Sequence, residues 1–90
     1  MKRRIEMISI KVLGPGCNNC KMVEANTRTA LENLGIQADV EKVTSYPEIM
    51  KWNILSTPGL VINDKVVCAG RIPDVAEITT WLATELEKLG

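Results

Sequence analysis

The stretch GPGCNNCKMVE, residues 14–24, sets two cysteines three apart directly after an apolar run and a Gly-Pro-Gly break. The run before it, Met7–Leu13 (MISIKVL), reads as a strand because it is rich in β-branched and aliphatic residues. After it, Cys20, Val23, Thr27, Ala30, Leu31 and Leu34 recur at steps of three and four, which is one face of a helix. The cysteines therefore stand where a strand turns into a helix. Such a pair can be a redox couple, half of a metal site or a structural disulfide, and residues elsewhere have to decide.

Gly35 is placed to end that helix as a left-handed cap, with Ile36 packing back. Ala38–Val43 follows as a second strand. Ser45-Tyr46-Pro47-Glu48 has the spacing of a capping box and predicts a short helix to about Asn53. Gly59–Ile62 and Lys65–Cys68 read as short strands around a tight Asn63-Asp64 turn. Gly70 and Pro73 break the chain, and Asp74-x-x-Glu77 repeats the box spacing ahead of a last helix. The apolar face of that helix is Val75, Ile78, Leu82, Leu86 and Leu89.

The predicted order is β-α-β-α-β-β-α, an α/β fold with a four-stranded mixed sheet flanked by three helices. Strands separated by helices imply parallel pairing, and the late hairpin adds antiparallel strands. The first strand is expected inside the sheet, which puts its exit loop at the carboxyl edge, where open α/β sheets carry their sites. One domain over residues 1–90 is expected, with residues 1–5 frayed.

Composition narrows the function. The chain has 90 residues, 46% of them hydrophobic, so a modest core needs no disulfide or metal to explain it. Lys plus Arg and Asp plus Glu number 11 each, which argues against a nucleic-acid partner. Met1-Lys2-Arg3-Arg4 looks like the start of a signal peptide, but Glu6, Ser9 and Lys11 interrupt the apolar run that would follow. No stretch reaches membrane-spanning length, so a cytoplasmic protein with no membrane partner is expected. The cysteines number three, an odd count for a fully paired secreted scaffold, and histidine is absent, which removes mixed Cys/His zinc sites.

Cys17 falls just before the first helix and Cys20 in its first turn, where unpaired N–H groups and the helix dipole favour thiolate. Cys17 is thus expected to be the nucleophile, with a lowered pKa, and Cys20, starting the buried face, to be the resolving thiol. Asn18 and Asn19 are suited to hydrogen-bond local backbone and start the helix. An inert structural pair would not need a Gly-Pro-Gly loop and a helix start beside it. A second signal is Thr57-Pro58, ahead of the strand at Gly59. Proline belongs at a strand's start, and X-Pro is the bond type in which cis is cheap. A cis bond would turn the Thr57 backbone outward to pair with an extended substrate; an ordinary trans proline is the plain alternative.

Taken together, "GPGCNNC", "ALENLGI", "STPGLVIN" and "AGRIP" resemble the thioredoxin superfamily in its trimmed, glutaredoxin-sized form, most of all its small archaeal and bacterial redox-active disulfide proteins. The resemblance runs from about Met7 to Leu89. It implies a thiol–disulfide oxidoreductase with Cys17 attacking, Cys20 resolving and Pro58 as the cis-proline facing them. Gly16, Asn18, Asn19, Thr57 and Gly70 would border the substrate. Implied partners are disulfide-containing proteins and an unidentified upstream reductase; the chain would act as a monomer without a bound cofactor. The sequence departs from thioredoxins at Gly16, where they carry Trp, and at Asn18-Asn19, where they carry Gly-Pro. Lys11 stands near the place of their buried carboxylate, and is read here as a snorkelling strand residue rather than one aimed at the site.

Cys68 is read as a buried small hydrophobe on the face of Val66, with a third thiol near the groove as the alternative. Trp52 and Trp81 are read as semi-buried packing residues, not a binding platform. Lys21, Glu24, Arg28, Glu32, Glu77, Glu85, Glu87 and Lys88 are assigned to solvated helix faces. A competing function is soft-metal binding or transfer (Cu(I), Zn or arsenite) through the same two cysteines. Small metallochaperones use a β-α-β-β-α-β order and usually Met two residues before the first cysteine, where this chain has Pro15.

Overall fold

The computed structural model describes residues 8–16 and 18–89. The segment 1–7, Cys17, Gly90 and the side chain of Leu89 lie outside the described residues. So, therefore, do the expected fraying of residues 1–5, the expected strand start at Met7 and the attacking cysteine.

The order is β1 (Ser9–Leu13), α1 (Asn18–Leu34), β2 (Asp39–Val43), α2 (Tyr46–Met50), β3 (Gly59–Ile62), β4 (Lys65–Ala69) and α3 (Val75–Leu89). The sheet runs β2-β1-β3-β4, so β1 is interior. It pairs parallel with β2, from Ser9↔Asp39 to Leu13↔Val43, and antiparallel with β3, from Ile10↔Ile62 to Leu13↔Gly59. The mixed four-stranded sheet is the one the order of elements implies.

Alternation along the strands splits the core in two, because successive side chains point to opposite faces. Ile10, Val12, Leu60 and Ile62 face α1 and α3, where Val23, Ala30, Leu31, Ile78 and Leu82 meet them. Leu13 and Val61 face α2 and bury Val43, Ile49 and Ile54, with Trp52 packed alongside. Thr27, fully buried on α1, donates its hydroxyl to the Val23 carbonyl at 2.8 Å, so its polar atom is satisfied within the helix. Trp81 packs against the first core, so both tryptophans are packing residues.

The ends of the elements follow local chemistry. Gly35 (φ 68°) closes α1: its N–H donates to the Glu32 carbonyl and that of Ile36 to the Leu31 carbonyl, a Schellman pattern. Asn63 and Asp64 (φ 51° and 66°) form the two-residue turn between β3 and β4, where both positions need left-handed backbone. At α3 the box is complete, with Asp74 Oδ1 accepting from the Glu77 N–H at 2.8 Å and Glu77 Oε1 accepting from the Asp74 N–H at 3.1 Å.

Two expectations are corrected. Ser45 makes no side-chain cap bond at α2, and the Glu48 carboxylate that would complete the box instead pairs with Lys51 at 3.1 Å. The helix ends at Met50, and residues 51–53 continue as turns whose N–H groups donate to the carbonyls three residues back. Cys68 does not share a face with Val66. The pairing jumps from Val61↔Val66 to Leu60↔Cys68, so Val67 is an extra, bulged residue. The bulge sends Cys68 into the core beside α1 and α3 and leaves Val66 on the opposite, exposed side.

Candidate functional site

The site lies at the carboxyl end of β1. Gly14 extends the β1–β2 ladder by one bond, its N–H reaching the Val43 carbonyl at 2.9 Å. The chain then crosses Pro15 and Gly16 (φ 97°), a backbone region open to glycine, and α1 begins at Asn18. Asn18 and Asn19 are exposed; Cys20, in the first turn, is buried with 5% of its surface accessible.

Gly14 joins the two sequence signals. A Cβ placed on it would overlap the Cys20 sulfur, approach the Cys20 Cβ to 3.3 Å and touch the Thr57 Cβ at 3.9 Å. The buried cysteine of α1 and Thr57, ahead of β3, thus both meet the side-chain face of one glycine. The Thr57–Pro58 peptide bond is cis. Thr57 is half-buried and Pro58 buried. Gly70 (φ 83°) donates its N–H to the Pro58 carbonyl at 2.9 Å, and a Cβ on it would come 2.5 Å from Ser56 Oγ. Cys20, Thr57, Pro58 and Gly70 are brought together; Gly16, Asn18 and Asn19 form the exposed approach. Cys17 is outside the described residues.

Two groups at this site escaped the sequence reading. Cys20 and Gly14 line a cavity of about 100 Å³ whose wall includes Glu24 and Lys42. Lys42 pairs with Val12 in the sheet and so can turn toward α1, where its Nζ lies 3.6 Å from Glu24. Glu24 also binds Arg28 at 3.0 Å and is only 17% exposed at its side chain, so it is not a solvated surface charge. Its position four residues after Cys20, hence on the same helix face, was the available signal. The other group is Tyr46, Met50 and Leu55, at 60%, 61% and 102% exposure. They edge a shallow apolar depression that ends at Thr57, and apolar type alone had suggested nothing about them.

Lys11 is on the far side. Paired with Val61, it belongs to the α2 face, where its Nζ sits 5.8 Å from the Trp52 ring centroid and 3.4 Å from Ser9 Oγ. It lines a separate groove of about 420 Å³ with Glu48, Lys51 and Trp52. Its stem covers apolar surface and its ammonium stays at the edge. Cys68 lies in the core; its sulfur is 3.8 Å from the Arg71 carbonyl. Among the described residues, no helix is long and apolar enough to cross a membrane.

A family model described as a thioredoxin domain matches residues 8–83. A thioredoxin from Methanocaldococcus jannaschii is 41% identical over 81 residues, covering 90% of this chain and 93% of that protein. A thioredoxin from Methanothermobacter thermautotrophicus is 36% identical over 77 residues, covering 86% of this chain and all of the relative. The chain belongs to the thioredoxin domain family, and with it to the thiol–disulfide oxidoreductases.

Proposed function

We propose that the chain reduces disulfides in partner proteins through a Cys17–Cys20 dithiol. Cys17, immediately before α1, attacks one sulfur of the partner disulfide as a thiolate. A Cys17–partner disulfide forms, and the other partner sulfur leaves with the electron pair and takes up a proton. Cys20 then attacks the Cys17 sulfur, closing the Cys17–Cys20 disulfide and releasing the second partner thiol. Two electrons pass from the dithiol to the partner. A separate reductase restores the dithiol, and no bound cofactor is needed because the chemistry lies in the two sulfurs. The protein works as a single domain and a monomer in the cytoplasm.

The observation that supports this reading is that the buried Cys20 sulfur and Thr57 meet at the same face of Gly14. A partner segment bound along Thr57 and Pro58, where β3 begins, would present its disulfide to the start of α1. Gly16, Asn18, Asn19 and Gly70 flank that path, and the exposed Tyr46, Met50 and Leu55 offer apolar contact to the same segment.

The test is reduction of insulin disulfides with dithiothreitol as electron donor. The protein is expected to accelerate the reaction, Cys17→Ser to abolish turnover, and Cys20→Ser to stall as a mixed disulfide. Turnover that survives Cys17→Ser overturns the proposal.

A further inference from the structure

Resting on the dithiol reading above, we infer that Met50 is an oxidation site: peroxide converts its thioether to the sulfoxide, and the sulfoxide weakens the hold of this protein on its disulfide partners. The site is built from α2 and the segment after it. Tyr46 and Met50 stand one turn apart on the same exposed face of α2, while Ile49 turns inward to the core. Leu55 carries the apolar surface on toward Thr57, and the depression these residues edge, about 130 Å³, has Ile49 and Ile54 among its walls. Contiguous exposed apolar side chains beside a reactive site mark an interaction surface. Its occupant is the apolar part of the partner segment that runs along Thr57.

Met50 is the element of this surface that chemistry can change. Its side chain is 61% exposed and belongs to neither hydrophobic cluster, so an oxidant reaches it and the core does not depend on it. An unbranched, polarisable thioether adapts to partners of different shape, and oxidation replaces it with a polar, chiral group. The step balances. A sulfur lone pair attacks one oxygen of the peroxide, the S–O bond forms and the O–O bond breaks, and the second oxygen leaves as hydroxide and takes a proton to become water. Sulfur loses two electrons and the peroxide gains them; a sulfoxide reductase reverses the change. Met22, 52% exposed on α1, is open to the same oxidant but lines neither this depression nor the cavity at Cys20. Met1 and Met7 lie outside the described residues.

A loss of partner binding is separable from damage to the fold or to the dithiol. The protein is treated with hydrogen peroxide as the Cys17–Cys20 disulfide, which shields both sulfurs, and peptide masses locate the added oxygen. Insulin reduction with dithiothreitol is then followed across insulin concentration, each protein against its own untreated form. For the wild type KM is expected to rise about fivefold to tenfold, within what burial of one methionine side chain supplies, with kcat and melting temperature kept. Met22→Leu should show the same rise and Met50→Leu none. Met50→Gln, polar without any oxidant, should show a raised KM untreated. A wild-type KM that oxidation leaves in place, a rise in Met50→Leu as large as in wild type, or a Met50 that stays a thioether while Met22 is converted overturns the inference and leaves the dithiol reading standing. A loss confined to kcat, or an untreated Met50→Gln with the wild-type KM, does the same. An untreated wild-type protein that does not reduce insulin removes both.

Discussion

Gly14 and the Cys20 sulfur share a space that admits only one of them: a Cβ on the glycine would occupy the position of the sulfur. Backbone torsion does not require the glycine here. The close approach of α1 to the end of β1 does, and Thr57 comes up against the same open face of the glycine.

Gly14→Ala is therefore expected to push Cys20 away from Thr57 and to weaken both fold and turnover. The steric cost of adding a methyl to a filled site is about 1–3 kcal/mol. In a domain of this size each kcal/mol lowers the melting temperature by roughly 4–8 °C. Thermal unfolding and insulin reduction check the pair of effects; an alanine variant as stable and as active as wild type contradicts the geometry.

The two box-like sequences should answer differently to alanine. Asp74 makes its cap bond to the Glu77 N–H, so Asp74→Ala is expected to cost about 1 kcal/mol. Ser45 makes none, so Ser45→Ala should stay within about 0.5 kcal/mol of wild type. Urea midpoints of the two variants measure the contrast.

Acid should expose the same cap. The Arg71 guanidinium, and after it the Asp74 N–H, holds the Glu77 carboxyl down at about 2, against an ordinary value of 4.5. A depressed folded pKa gives stability that is fully present above the unfolded value and is lost as pH falls through the folded one. That contribution should fade between pH 4.5 and about 2. Glu77→Gln should flatten the melting-temperature profile across that window. It should not abolish the slope, because the Glu85 carboxyl is also held below its ordinary value, first by Asn63 and then by Lys88.

Most of the fold was legible because single residues announced it. Gly35, Asn63-Asp64 and Asp74-x-x-Glu77 each named a local geometry that the structure contains. Ser45 misled because spacing cannot show a carboxylate choosing Lys51 over the backbone. Three apolar residues in a row, Val66-Val67-Cys68, carry no mark of which one a bulge will set aside. At the site, Cys20, Thr57 and Pro58 could be gathered from residue types that the chemistry or the backbone demands, and Gly70 from the family resemblance. Glu24 could not be told from a solvated charge by type. Its burial comes from β2, whose register with β1 places Lys42 beside Val12 and within reach of it.

The account stands or falls on one couple of sulfurs. Equilibrating the full chain across a glutathione redox series, alkylating at each point and weighing the peptides would show which cysteines change together. Cys17 and Cys20 are expected to pass from dithiol to a mutual disulfide in a single two-electron transition, with Cys68 remaining a thiol throughout. Independent oxidation of the two, or a disulfide that joins either of them to Cys68, would contradict it.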